Sequence, residues 1–239
     1  MSLVDHLAEL RKRLFLSVAA IVAGAVIGWF LAPQIITILA DPLPSRGEGL
    51  AKIQFLTLSG SFFNYAKVAF VVGVLIALPV LIYQVWAFVS PGLTEKERKA
   101  ALPWIPAAIT FFLLGSAVAY VTLPFAIAFL TSWTIPGVTE VVPTGEAYYG
   151  FVTMIFLIFG AVMEFPILLV FLAKLGILNV TLLKTSRKMV LLGITVFAVV
   201  ATPGGDPISP MVMATVMYVL YEFTIFMLSR GDRSRGASV

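Results

Sequence analysis

The sequence predicts an all-α membrane protein with six transmembrane helices and both termini on the cytoplasmic side. Three observations lead there. Of the 239 residues, 60% are hydrophobic and 12% charged, whereas a soluble domain needs about a quarter charged residues to cover its surface. The apolar residues gather into runs long enough to cross a bilayer, and the mean hydropathy is +1.04. Lys and Arg collect between alternate runs, as orientation in a membrane requires.

A helix needs about 20 apolar residues to cross a hydrocarbon core of ~30 Å. Leu14–Ala40 carries no charge, and the first span is placed at 14–33. The uncharged run Val68–Thr94 gives a second span at 66–89. Ala100–Thr139 is uncharged but too long for one helix. Pro124 and Pro136 are expected to end the third span, 103–124, and to turn the remainder into an apolar external loop. The fourth span, 147–172, is interrupted by Glu164. The fifth, 188–203, and sixth, 208–228, are joined by "TPGGDP", a Pro/Gly turn. About 16 residues at 1.5 Å each give ~24 Å, so these last helices are short, and the hairpin should thin the bilayer or sit off-centre. Residues 229–239 form a basic tail. No internal repeat is visible, which leaves an inverted-repeat transporter unsupported. The whole chain reads as one membrane domain.

Before the first span, "SLVDHLAELRKRL" repeats Leu3, Leu7, Leu10 and Leu14 at helical spacing. Ser2 with Asp5 matches a capping box. A short amphipathic helix on the cytoplasmic interface is expected there, with Asp5 and Glu9 on its water side. Nothing at the start resembles a cleaved signal or transit peptide.

With the N-terminus cytoplasmic, Arg11, Lys12, Arg13, Lys96, Arg98, Lys99, Lys174, Lys184, Arg187, Lys188, Arg230, Arg233 and Arg235 fall on that side, 13 of the 16 basic residues. Arg46, Lys52 and Lys67 fall on the other. Trp29, Trp86, Trp104 and Trp133 lie near span ends, as interfacial anchors do. The net charge of +4 does not point to nucleic acid, because the basic residues flank spans instead of forming a stripe. The chain has no cysteine and one histidine, too few ligands for a metal site. No HExxH, GxSxG or Walker A motif is present. The expectation is a non-enzyme without cofactors.

The acids then stand out. Glu9 sits beside Arg11, Lys12 and Arg13, and is spaced for an i,i+4 pair with Arg13 worth a few tenths of a kcal/mol. Glu97 is three residues after Thr94, a capping-box spacing in the first cytoplasmic loop. Glu164 lies in the middle of a span, where an ionised carboxylate is costly and marks a functional site by default. A packing role, as a protonated donor to a neighbouring helix, is the alternative. Pro166 frees a backbone carbonyl nearby, so a kink or polar notch is expected. Asp206 suits turn chemistry. Glu222 is placed to snorkel or to pair with a basic residue of the second cytoplasmic loop. His6, a lone surface imidazole, suggests nothing further.

Five motifs, in order and covering nearly the whole chain, carry a family resemblance: "HLAELRKRL", "LPVLIYQVWAFVSPGLTEKERK", "FGAVMEFP", "ATPGGDPIS" and "MYVLYE". The chain resembles the TatC family, the polytopic core of the twin-arginine protein translocase. The resemblance implies a concave helix bundle in the prokaryotic cytoplasmic membrane. It implies a receptor for folded cargo whose signal carries two consecutive arginines. It also implies recruitment of single-span TatA- and TatB-type subunits, self-association in a receptor complex, and transport driven by the protonmotive force. Carried over by motif, Glu9 and Glu97 are the acids of the signal site, with Arg11 and Phe88 in its surroundings. Pro42 shapes the outer cap, and Glu164 the intramembrane notch. Thr202 and Asp206 mark the partner-facing hairpin, and Glu222 the acid near the end of the last span. The turn departs from the family's usual "TPPD" by one residue, and Pro210 stands where a polar residue is common. Arginine's planar fork pairs bidentately with carboxylate and lysine's ammonium does not, so acids amid basic residues suit a twin-arginine ligand. The rival reading is a proton-coupled secondary transporter using Glu164. It needs a discontinuous helix pair or several intramembrane polar groups.

Overall fold

The computed structural model describes residues 3–43, 53–92, 95, 104–135, 138, 142–174 and 178–236. α1, Leu3–Ala40, is one continuous rod of 38 residues, about 57 Å long at 1.5 Å per residue. The expected separate interfacial helix does not exist. Between Leu3 and Ala23 there is no Gly or Pro, so no residue type that breaks a helix separates the charged turn from the apolar run. α1 also passes through Pro33. Proline cannot donate to the carbonyl four residues back, which orphans that of Trp29. Tyr65 from α2 supplies the missing donor, its hydroxyl 2.6 Å from the Trp29 oxygen.

α2 spans Gly60–Val89 and ends in a 3-10 turn, Ser90–Gly92. Its contact with α1 is backbone against backbone. A Cβ on Gly24 would lie 2.4 Å from the Gly73 carbonyl oxygen, and one on Gly28 2.3 Å from that of Ala69. The pairs Gly24/Gly28 and Ala69/Gly73 are each spaced four residues apart, the small-xxx-small pattern that lets membrane helices approach closely.

α3, Trp104–Thr131, corrects the expected end at Pro124, which lies inside the helix. One proline deletes one hydrogen bond, and the turn that follows is held by burial: Leu123, Ala126 and Ile127 are all buried. α4, Gly145–Val162, and α5, Phe165–Lys174, together fill the fourth apolar stretch. They are separated by a turn at Met163 and Glu164. There the Glu164 amide bonds to Ala161 at 3.1 Å, a tightened i−3 bond. Pro166, lacking an N–H, leaves the Val162 carbonyl without its helical donor. The interruption expected from Pro166 is therefore present.

α6, Val180–Thr185, is capped by Asn179, whose side chain accepts from the Leu182 amide at 2.6 Å. α7, Arg187–Ala201, has 15 residues, about 22 Å. α8 runs from Ile208 to Gly236, so the helix continues into the basic tail. Gly204 and Gly205 between α7 and α8 have φ of 99° and 72°, a left-handed conformation that glycine adopts without cost.

The chain divides into two compact units. One comprises Met1–Ile109 with Thr131–Met154, and the other Thr110–Leu130 with Ile155–Val239. Among the described residues, five stretches are long and apolar enough to cross a membrane: Val4–Ala40, Gly60–Val89, Ile105–Thr131, Gly145–Ala173 and Ile208–Arg230. α7 is the short helix expected as the fifth of six spans.

Candidate functional site

The N-terminal turns of α1 lie against the C-terminal end of α2. Arg13 is the hub. Its Nη2 donates to Glu9 Oε1 at 2.9 Å and to the Ala87 carbonyl at 3.5 Å, while Nη1 donates to Gln84 Oε1 at 3.1 Å. Arg13 thus bridges the two helices. Glu9 does not face water as its helical position suggested. Its side chain is 17% exposed, and its second oxygen, Oε2, is buried without a hydrogen-bond partner. The cause is the Gln84 face of α2, which draws Arg13 inward and Glu9 with it.

One turn earlier, His6 stacks on Phe88 with ring centroids 4.5 Å apart. The imidazole that suggested nothing from sequence is therefore packed against one of the expected site residues. Glu9 and Phe88 are brought to the same end of α1 and α2. Arg11, also on α1, is exposed and takes no part in the Arg13 network. Glu97 lies outside the described residues. Sequence reasoning missed Arg13 and Gln84 as the organisers of this cluster. The i,i+4 spacing pointed to half of it, but Gln84 is 71 residues away from Arg13 and only the fold joins them.

At the other end of α1, Pro42 follows the helix in a turn closed by Leu43 N to Ala40 O at 3.1 Å. The helix end leaves carbonyls without intrahelical donors. Tyr148 of α4 donates to Leu39 O at 2.5 Å, and Tyr149 adds a hydroxyl bond to Ile36 O at 3.2 Å.

Glu164 occupies the turn between α4 and α5 and opens onto a cavity of ≈ 550 Å³ lined also by residues of α7 and α8. Every other lining residue is apolar, among them Ile158, Phe165, Ile194, Phe197 and Met217. Glu164 Oε1 is buried with no hydrogen-bond partner. Gly193 borders the same cavity, and a Cβ there would meet nothing within 4 Å. The site is an apolar notch with one carboxyl in its wall.

In the turn beyond α7, Thr202 caps the helix. Its hydroxyl donates to Ala198 O at 2.8 Å. Asp206 is buried and accepts from the Ser209 amide at 2.6 Å, the turn chemistry expected of it; Oδ2 and Ser209 Oγ are buried without partners. Glu222 pairs with Arg187 at 2.7 Å and accepts from Tyr218 at 3.2 Å. Arg187, at the start of α7, is one of the basic residues expected to pair with Glu222. Glu222 is not among the residues lining the Glu164 notch. Among the described residues, no cluster of His, Cys, Asp and Glu could hold a metal ion.

The sequence and the fold both have likenesses among known proteins. The TatC family model, described as Sec-independent protein translocase protein (TatC), matches residues 5–215. The Sec-independent protein translocase protein TatC of Deinococcus radiodurans is 38% identical over 232 residues, 95% of this chain and 85% of that protein. That of Desulforapulum autotrophicum is 37% identical, over 92% of this chain and 82% of its own. TatCy of Bacillus subtilis is 36% identical, over 94% and 87%. A crystal structure of the twin-arginine translocase receptor TatC in DDM superposes with a TM-score of 0.80 at 32% identity, covering 93% of this chain and 99% of that one. The long apolar helices, the short α7 and the five ordered motifs agree with these likenesses: the chain is a multi-pass membrane protein, not an enzyme, and belongs to the TatC family of Sec-independent protein translocase proteins.

Proposed function

We propose that this chain is the signal receptor of a twin-arginine translocase in a prokaryotic cytoplasmic membrane. It spans the membrane six times, with α7 as the short fifth span and both termini cytoplasmic. It captures the paired arginines of a folded cargo's signal through Glu9 and Glu97, with Arg11 and Phe88 alongside. It then recruits TatA- and TatB-type subunits and associates with further copies of itself, and transport is driven by the protonmotive force.

The observation that carries this reading is the state of Glu9. A carboxylate can accept several hydrogen bonds, and Glu9 uses one oxygen on Arg13 while Oε2 has no partner. Arg13 holds two further acceptors on α2, so it keeps partners there when an incoming guanidinium uncovers Glu9 and takes it over. The His6–Phe88 stack at the same end offers an apolar surface for the residues that flank the arginines. The transporter alternative gains nothing here. The described spans contain one interruption beside an acid, at Glu164, and not a pair.

Titration of a fluorescent twin-arginine peptide into purified protein in detergent tests the assignment. Glu9→Gln and Glu97→Gln are each expected to weaken binding about tenfold, ~1.4 kcal/mol, with normal expression and melting. A peptide with two lysines should bind the parent poorly. If both Gln variants bind like the parent, Glu9 and Glu97 are only pairing and capping residues.

A further inference from the structure

At the end of α2 opposite Val89, the chain enters the helix through Phe55–Phe63, "FLTLSGSFF", which has no charged residue. Its apolar side chains point outward. Leu58 is fully exposed, Leu56 is 76% exposed, and Phe62 and Phe63 are 59% and 64% exposed. Contiguous exposed apolar surface of this kind marks an interaction site.

The segment is held firmly. Gln54 pairs with the residues before α4, its amide to Pro143 O at 3.0 Å and its carbonyl to Gly145 N at 2.8 Å. Thr57 Oγ1 bonds Glu146 Oε1 at 3.2 Å. Gly60 N reaches Thr57 O at 3.1 Å, and Phe63 N reaches Ser59 O at 3.0 Å. These bonds fix Gln54, Thr57 and Gly60 on either side of the two leucines, whose own backbone groups need the hydrated headgroup region and not the hydrocarbon core.

The depth is marked by aromatic rings. Trp29 of α1 meets Phe62 edge-on at 5.8 Å and Tyr65 at 4.6 Å. Trp and Tyr gather at headgroup level. α2 has 30 residues, or about 45 Å, which matches the ~40–45 Å of a bilayer with its headgroup regions. Its first turn therefore lies in the headgroup region, with the exposed leucines just before it.

We propose that Leu56 and Leu58, backed by Phe62 and Phe63, insert into the headgroup–acyl boundary of the leaflet where α2 begins, anchoring this end of the first unit to lipid. On the six-span topology this is the outer leaflet.

The chain has no cysteine, so Leu56→Cys and Leu58→Cys each accept a single nitroxide label, at exposed positions that leave the core untouched. The full-length protein is reconstituted into phosphatidylethanolamine–phosphatidylglycerol vesicles. Spin relaxation by oxygen, which partitions into lipid, is compared with relaxation by a water-soluble nickel chelate. Exposed Asp41, as Asp41→Cys, is the aqueous reference. Oxygen access several-fold above nickel access at 56 and 58, unchanged on dilution with lipid, is the expected result. Nickel-dominated relaxation would place the segment in water and overturn the proposal. So would low access to both reagents. If that access rose on dilution, a second copy covers the leucines; if it did not, another part of the same chain does.

Discussion

Arg13 and Glu9 lie one helical turn apart on α1, joined at 2.9 Å, and the same guanidinium ties α1 to Gln84 and Ala87 of α2. This is more than an exposed i,i+4 pair, because both side chains are largely covered. Arg13→Met removes the hub, leaving the Glu9 carboxylate and the Gln84 oxygen without donors. A buried group stranded in this way costs about 1–3 kcal/mol. Thermal unfolding in detergent should fall accordingly. Arg13→Lys, with its compact ammonium on a flexible stem, should recover only part of the loss. A melting temperature unchanged by Arg13→Met would show that the bridge adds nothing to stability.

Tyr65 and Pro33 make a second, sharper test. The Tyr65 hydroxyl serves the Trp29 carbonyl, which is orphaned only because residue 33 is proline. Tyr65→Phe should destabilise by about 0.6–2 kcal/mol, the range of interhelical hydrogen bonds in membranes. In a Pro33→Ala background the restored amide takes over the same carbonyl, so Tyr65→Phe should then cost much less. A double-mutant cycle on unfolding reads the coupling. Additive effects would mean that the hydroxyl and the proline are unrelated.

The contact between α1 and α2 is predicted to tolerate almost nothing. A Cβ on Gly73 would fall 2.4 Å from the backbone nitrogen of Ala25, a neighbour that cannot rotate away. Gly73→Ala should therefore destabilise by about 1–3 kcal/mol through overpacking. At Gly193 a Cβ meets nothing within 4 Å, so Gly193→Ala should be neutral or slightly stabilising by helix propensity. Proteolysis rates of the two variants in membranes give the comparison, and equal rates would contradict the close packing.

What the sequence made legible follows from the same physics. Charge-free runs announced the spans, because hydropathy is a local property that bilayer thickness turns into helix length. The turn "TPGGDP" announced itself through residues with special backbone freedom, and Gly204 and Gly205 do take positive φ. Glu164 was conspicuous because an acid in a span has few innocent explanations. Local signals misled where tertiary contact decides the outcome. Pro124 looked like a helix end, yet it lies inside α3 beside the buried Leu123, Ala126 and Ile127. Glu9 looked solvent-facing because α1 alone gives no hint of Gln84. The small-residue spacing of "GAVIG" in α1 was readable, and it marks the α1–α2 crossing that single-helix reasoning passes over.

Glu164 gives the prediction with most bearing on mechanism. Its Oε1 has no partner, and its side chain walls an otherwise apolar notch among α4, α5, α7 and α8. Packing alone would give a carboxyl a donor or acceptor inside the bundle, since an unsatisfied polar group is costly there. A carboxyl in the wall of an apolar cavity, with one buried oxygen unpartnered, suits a polar side chain arriving on another helix. Such a bond is worth about 0.6–2 kcal/mol, enough to bias assembly and weak enough to reverse. On the proposed assignment, signal capture uses Glu9 and Glu97, and neither is among the residues lining this notch. Glu164→Ala should therefore retain twin-arginine peptide binding and lose transport. Glu164→Gln, which still donates and accepts, should be milder. Photocrosslinking from position 164 in membranes, with and without cargo and protonmotive force, distinguishes the roles. Normal transport by Glu164→Ala, with no partner crosslinked under any condition, would make the acid a packing residue and remove the notch from the mechanism.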